Sequence, residues 1–144
     1  MLILRKGGAK MKKAISIVLV VLSIVSIFGI TAAAVEPRWN NTATANVSLS
    51  INSSGKATVA FNCTGKTGKT TGITAETKLE RKWGIFWLDV DGAEWTDTTT
   101  NIYLSTSHTF QLNKTGTYRA TTKFTVSGTG GSDDSITVTS EYTY

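Results

Sequence analysis

The stretch Lys56–Lys82, KATVAFNCTGKTGKTTGITAETKLERK, decides the fold because it admits two incompatible readings. Its middle, Phe61–Gly72, repeats Gly-Lys-Thr and so looks like the loop that cradles nucleotide phosphates. That loop needs Gly-x4-Gly-Lys-[Ser/Thr], where the first glycine turns backbone N–H groups toward the phosphates. Gly68-Lys69-Thr70 supplies the end of the pattern, but the position of the first glycine is held by Cys63. The flanks decide between the readings. Before the loop, Ala57, Val59, Phe61 and Cys63 alternate with polar or small residues; after it, Ile73, Ala75, Thr77 and Leu79 alternate with Glu76, Lys78, Glu80 and Lys82. Such period-two alternation marks half-buried strands. The loop therefore joins strand to strand, where a phosphate loop leads from a strand into a helix. No nucleotide is expected, and Cys63 falls on the core side as a buried free thiol.

The same alternation extends in both directions. In Thr42–Asn52, Ala43, Ala45, Val47, Leu49 and Ile51 share one side, and Asn52–Gly55 reads as a turn. Downstream, WGIFWLDVDGAEW (Trp83–Trp95) gathers the aromatics. Trp83-Gly84-Ile85-Phe86 is expected to form a hairpin tip, with Trp87, Leu88 and Val90 starting the return strand and Asp91-Gly92 making a further turn or loop. Asn101–Leu112 is another strand, whose parity puts His108 with Leu104 and Phe110. In Gly116–Gly128, Tyr118, Ala120, Phe124 and Val126 point inward against outward Arg119, Thr121, Lys123 and Thr125. Thr129–Asp134 is expected to be a flexible turn, and Ser135–Tyr144 closes the chain with Ile136, Val138, Tyr142 and Tyr144 on one side. About seven strands, with short turns and no helical periodicity past the leader, predict an all-β protein: a single antiparallel sandwich.

The leader is of another kind. Residues 11–34, MKKAISIVLVVLSIVSIFGITAAA, combine a basic start, an apolar run from Ala14 to Ile30 and small residues before Val35. This is the layout of a helical signal peptide cleaved before Val35; an uncleaved membrane anchor is the rival reading. The first ten residues, MLILRKGGAK, fit no targeting pattern. Codons for Lys6-Gly7-Gly8 can spell a ribosome-binding sequence, so Met11 is the expected start and the expected source is bacterial. Domains are accordingly expected as leader 1–34, linker 35–42 and sandwich 43–144.

The formal charge of +5 belongs to this leader, which holds Arg5, Lys6, Lys10, Lys12 and Lys13 and no acid. The remaining 110 residues carry ten basic and ten acidic side chains, so they are formally neutral and offer no electrostatic footprint for nucleic acid. They suit one domain. A lone cysteine excludes an internal disulfide.

Motifs for chemistry are sparse. Asp89, Asp91, Glu94 and Asp97 are acids on or near a turn, but a calcium loop of the EF-hand type needs an oxygen ligand where Trp87 stands and a glutamate where Thr98 stands. His108 is the sole histidine, and no nucleophile motif accompanies it. No catalytic residue, metal site or cofactor is expected. Sequons at Asn40, Asn46, Asn52, Asn62 and Asn113 matter only in a eukaryotic host. The strongest lead is aromatic. A short tip cannot easily bury Trp83, Ile85 and Phe86; folding back over the sandwich end is the first reading of them, and if exposed they form the candidate binding site, an apolar contact for a protein partner, a lipid surface or, through ring stacking, a sugar.

KTGTYRATTKF (Lys114–Phe124) resembles the F strand of immunoglobulin-like domains, and Tyr118 matches the tyrosine whose hydroxyl makes the corner hydrogen bond. Ala120 stands where antibody-type domains have their second cysteine. From leader to C-terminus, the chain resembles the small secreted immunoglobulin-like proteins of Firmicutes. That resemblance implies an immunoglobulin-like sandwich and an extracellular location, and carries over no active site. The expected function is a secreted, non-enzymatic module for binding, adhesion or envelope structure. Its expected partner is an extracellular protein, glycan or envelope component, and membrane is met only transiently through the leader. A small antibacterial or toxin-like effector and an extracellular hydrolase are the alternatives.

Overall fold

The computed structural model describes residues 38–144. The expected leader, the Met11 start, the cleavage site and the first part of the 35–42 linker lie outside the described residues. Arg38–Tyr144 is one compact unit, and both of its clusters of buried apolar residues lie within it.

Seven strands form: β1 (Thr42–Ile51), β2 (Lys56–Gly65), β3 (Thr70–Trp83), β4 (Phe86–Thr99), β5 (Tyr103–Gln111), β6 (Thr117–Gly128) and β7 (Asp134–Thr143). They make two antiparallel sheets, one ordered β1-β2-β5 and the other β4-β3-β6-β7. The chain changes sheet after β2, after β4 and after β5. Residues of alternate parity from both sheets meet in the middle. One cluster joins Leu49, Ile51 and Val59 to Leu79, Tyr118 and Ala120; the other joins Phe61, Cys63 and Leu104 to Ile73, Phe124 and Ile136. Phe61 meets Phe124 edge to face, with ring centroids 5.9 Å apart. One polar pair interrupts this layer: Thr77 and Thr122 are buried and bond each other at 2.9 Å, which satisfies both hydroxyls.

The alternation expected for β2, β3 and β6 matches the inward set, and four departures have physical causes. Ala43 is exposed because β1 carries a bulge between Thr42 and Thr44, which turns Thr42 inward in its place. Asp91-Gly92 is not a turn between strands. Four residues, Val90–Ala93, stand opposite Leu79 alone as an irregular four-residue bulge, after which β4 continues to Thr99. Gly92, at φ +79°, supplies the left-handed backbone this needs. Glu80 has outward parity yet is buried, for reasons given below. The segment Thr129–Asp134, expected to be flexible, ends in a buried anchor. The Asp134 carboxylate accepts hydrogen bonds from the backbone N–H groups of Asn40, Asn41 and Thr42 at 2.7–2.9 Å and from the Thr42 hydroxyl at 2.8 Å.

The two open sides of the sandwich are each bridged by a hydrogen bond between edge strands. On one, the Leu49 N–H of β1 donates to Ser140 Oγ of β7 at 3.1 Å. On the other, His108 of β5 meets Asp97 of β4, Nε2 to Oδ2, at 2.7 Å. Both sides serve the same end, holding sheets that no disulfide joins.

Candidate functional site

Strands β3 and β4 have 14 residues each, against 9 or 10 in the strands of the facing sheet. The surplus projects. β6 leaves β3 at the pair Arg81 and Tyr118, beyond which the pairs Lys82–Trp87 and Trp83–Phe86 continue as a two-stranded ribbon. The turn is Gly84-Ile85, with φ +60° at Gly84 and no positive φ at Ile85. A two-residue turn with its left-handed residue first is of type II′, whose twist suits the flanking strands.

Overhang explains the exposure. Trp83, Phe86 and Leu88 have the parity of core residues, but the facing sheet stops short and they are covered only in part. Trp83 is 64%, Ile85 85%, Phe86 57% and Leu88 52% exposed. Leu88 joins the three tip residues named from the sequence, and the parity it shares with Phe86 along β4, itself paired with Trp83 across the two-residue turn, is the signal that finds it. Trp87, with opposite parity, is half-buried, as is Trp95. Full burial of those two, the default for large apolar residues, is not what the structure has.

Both faces of the ribbon are braced at its root. On the outer face, Arg119 donates from Nε and Nη2 to the two Glu80 oxygens at 2.9 and 3.1 Å, and Thr121 Oγ1 donates at 2.7 Å. Lys78 Nζ lies 3.4 Å from Glu80 and 2.7 Å from Asp89, and the Trp87 ring covers the Arg119 guanidinium at 4.3 Å. Burial alone raises the Glu80 pKa, yet the bonds from Arg119 and Thr121 and the neighbouring positive charges outweigh it and hold the carboxyl below its ordinary value. On the inner face, Arg81 donates from Nε and Nη2 to Thr115 O at 3.3 and 2.8 Å, tying the ribbon to the β5–β6 loop. Tyr118 pins the same loop, its hydroxyl donating to Lys114 O at 2.6 Å. Between ribbon and loop lies a cleft of about 360 Å³ lined by Trp83, Leu88, Val90, Phe110, Leu112 and Tyr118, with Arg81, Asp91 and Lys114 at its polar parts. A larger depression of about 600 Å³ sits on the outer face of the four-stranded sheet. Its lining of Glu76, Lys78, Glu94, Lys123 and threonines is that of a solvated face with charges of both signs.

The remaining candidates have local structural partners. Cys63 is fully buried; burial first, and the negative charge of Asp134 second, push its thiol up to about 11, which keeps it protonated and poorly nucleophilic. His108 stacks on Trp95, with centroids 4.9 Å apart and planes within 5°, and lies 6.1 Å from the Phe61 ring. The four acids of β4 do not converge. Asp89 is drawn to Lys78 and Asp97 to His108, and among the described residues no group of three or more His, Cys, Asp or Glu is placed to hold a metal ion. The Gly-Lys-Thr loop is a short reversal between β2 and β3, in which Lys69 N and Thr70 N both donate to Lys66 O. No protein-family model, curated protein or solved structure matches this chain.

Proposed function

We propose that this chain is a secreted, non-enzymatic immunoglobulin-like module that binds an extracellular or envelope partner through the β3–β4 tip. One observation carries the reading. Four large apolar side chains, Trp83, Ile85, Phe86 and Leu88, stand in solvent on a ribbon braced on both faces. Solvating such a group in the free protein is costly, at about 25 cal/mol for each Å² of apolar surface, and a partner that covers the group recovers that cost. Bracing adds to affinity because little conformational freedom remains to be lost on contact.

Support for the immunoglobulin-like reading comes from the strand order and from the Tyr118 hydroxyl bond to Lys114 O, four residues upstream, which has the form of the corner tyrosine. In the constant-type arrangement the fourth strand pairs with the first sheet; here β4 pairs with β3 in the other sheet. That exchange makes the long ribbon possible. A secreted location rests on the leader layout of residues 11–34.

The test is capture. Residues 35–144, which hold the whole described core, are immobilised beside a Trp83→Ala, Phe86→Ala double variant and exposed to cell-envelope, glycan and extracellular protein fractions. Capture by the parent and its loss in the variant is the expected result. Equal capture by both proteins sinks the reading of the tip as the contact site.

A further inference from the structure

We infer that the tip is built to enter an anionic phospholipid surface, with the ribbon standing upright in it. The inference rests on the reading of the tip as a contact site and names its partner, and it departs from the expectation that membrane is met only through the leader. Its basis is the order of chemistry along the ribbon. At the apex, Trp83, Gly84, Ile85 and Phe86 carry no charge and no polar side chain beyond the indole N–H. One pair down is Lys82, and two pairs down is Arg81, each cationic. At about 3.4 Å per residue these lie roughly 3 and 7 Å below the Trp83–Phe86 pair. Lys114, on the loop that Arg81 holds, lines the same cleft as Trp83 and adds a third positive charge.

Acids come only below this collar. The nearest, Glu80 and Asp89, form the third pair down, and both are neutralised by Arg119 and Lys78. Asp91, in the β4 bulge, also lines the cleft that Trp83 and Lys114 line, and Glu94 and Asp97 follow farther along β4. Amphipathic helices that lie in an interface bury their apolar face about 5–10 Å into the boundary between headgroups and acyl chains, held by apolar area and by attraction of Lys and Arg to anionic lipid, and the same depth scale applies to an apolar tip. An apolar apex with cations starting about 3 Å behind it and acids kept about 10 Å back matches that profile in depth and in sign. A tryptophan at the first pair also suits the boundary, where one side of the ring is dry and the N–H is wet.

Geometry favours lipid over a protein pocket as the occupant. The tip is a convex projection with the cations Lys82 and Arg81 on the two pairs directly behind it. A pocket that received it would have to supply both a deep apolar socket and a matching acidic rim, whereas an anionic bilayer offers both at any point of its surface. Within the domain, the chain enters at Arg38, beside the loops that follow β2 and β6. The tip stands at the opposite end of β3, about 45 Å away along its 14 residues.

The experiment sediments residues 35–144 with vesicles of phosphatidylcholine alone and of an equal mixture with phosphatidylglycerol. The expected result is binding to the mixed vesicles, a blue shift of tryptophan emission as Trp83 leaves water, and weakening by salt. Trp83→Ala with Phe86→Ala should lower binding about tenfold or more, and Lys82→Gln should lower it less and flatten the salt dependence. Ile85→Ser, at an 85% exposed turn position, provides a second loss of binding that no folding defect explains when near-ultraviolet dichroism is unchanged. Absence of binding to either vesicle, equal binding to both compositions, or binding indifferent to the tip variants each overturns the inference. If vesicles are ignored while tip-dependent capture from a protein or glycan fraction persists, the lipid partner falls and the tip reading stands.

Discussion

At the scale of single residues, Asp134 does most to organise one end of the sandwich. Four donors converge on a side chain that is 6% exposed, and they come from Asn40, Asn41 and Thr42, the residues that lead into β1. Asn41 extends the cage, accepting from Gly130 N and donating to Ser132 O, so that the β6–β7 loop and the start of β1 form one unit. Gly128 permits this approach: a Cβ there would stand 2.3 Å from Lys69 O and 2.6 Å from Asn41 Oδ1. Burial alone raises the pKa of Asp134, but the amides and the hydroxyl outweigh it and hold the carboxyl below its ordinary value. The sign of the linkage follows. A carboxyl with a depressed folded pKa contributes stability that is present above its unfolded value, about 3.9, and is lost as pH falls through the lower folded value. Asp134→Asn keeps the shape and one acceptor, so it should cost about 2–3 kcal/mol at neutral pH and give a shallower loss of stability on acidification. Urea melts from neutral to strongly acidic pH check this. Glu80, also depressed, supplies the slope that remains in the variant. Parallel curves for parent and variant would mean that the Asp134 charge is not what the amides hold.

At the scale of elements, the β3–β4 hairpin shows what alternation can and cannot tell. Period two placed Cys63, Leu79 and Phe124 correctly because each has a facing strand. It also gives Trp83 and Leu88 core parity, and there it misleads, because parity reports the side a residue faces and not whether anything lies opposite. Strand length decides that, and length was hidden by Asp91-Gly92, which has the chemistry of a turn and is used as a bulge within one long strand. The buried charge of Glu80 was hidden for a related reason: its partners Arg119 and Thr121 come from a strand about forty positions away, and pairing at that separation leaves no local mark. The tip itself was legible, since Trp-Gly-Ile-Phe combines a glycine able to take positive φ with flanking aromatics. That glycine can be tested. No atom lies within 4 Å of a Cβ built on Gly84, so Gly84→Ala meets no clash and suffers only the left-handed backbone. Its expected cost is about 1–2 kcal/mol, with amide exchange faster from Lys82 to Trp87 and unchanged in β6. Protection lost across the whole four-stranded sheet would show that the ribbon is part of the fold's cooperative unit and not an appendage.

At the scale of the whole molecule, the sandwich separates its tasks by end. Where the chain enters, Asp134, Asn41 and the Lys66 ammonium, which donates to Trp39 O, fix the domain's start. The far end carries the tip, the cleft and the Arg81 clamp. Between them lies a core split in two clusters, one toward each end, with Phe61 and Phe124 in the cluster nearer Asp134. This division was not legible in the sequence, because it depends on which loops share an end, and that follows from strand direction in both sheets. A consequence is independence. Sites more than about 10 Å apart without shared partners contribute additively to within about 0.5 kcal/mol, and Phe61 and the tip meet both conditions. Phe61→Ala, at 2% exposure, should cost about 3–5 kcal/mol. Trp83→Ala with Phe86→Ala should cost well under half of that, because those side chains bury little against the protein. The triple variant should then equal the sum in urea denaturation, and Phe61→Ala, under conditions where it stays folded, should keep whatever the tip binds at parent affinity. A triple variant that departs from the sum by 1 kcal/mol or more would mean that the ribbon is coupled through the sheet to the core. In that case losses of binding in the tip variants would have to be re-examined as losses of structure.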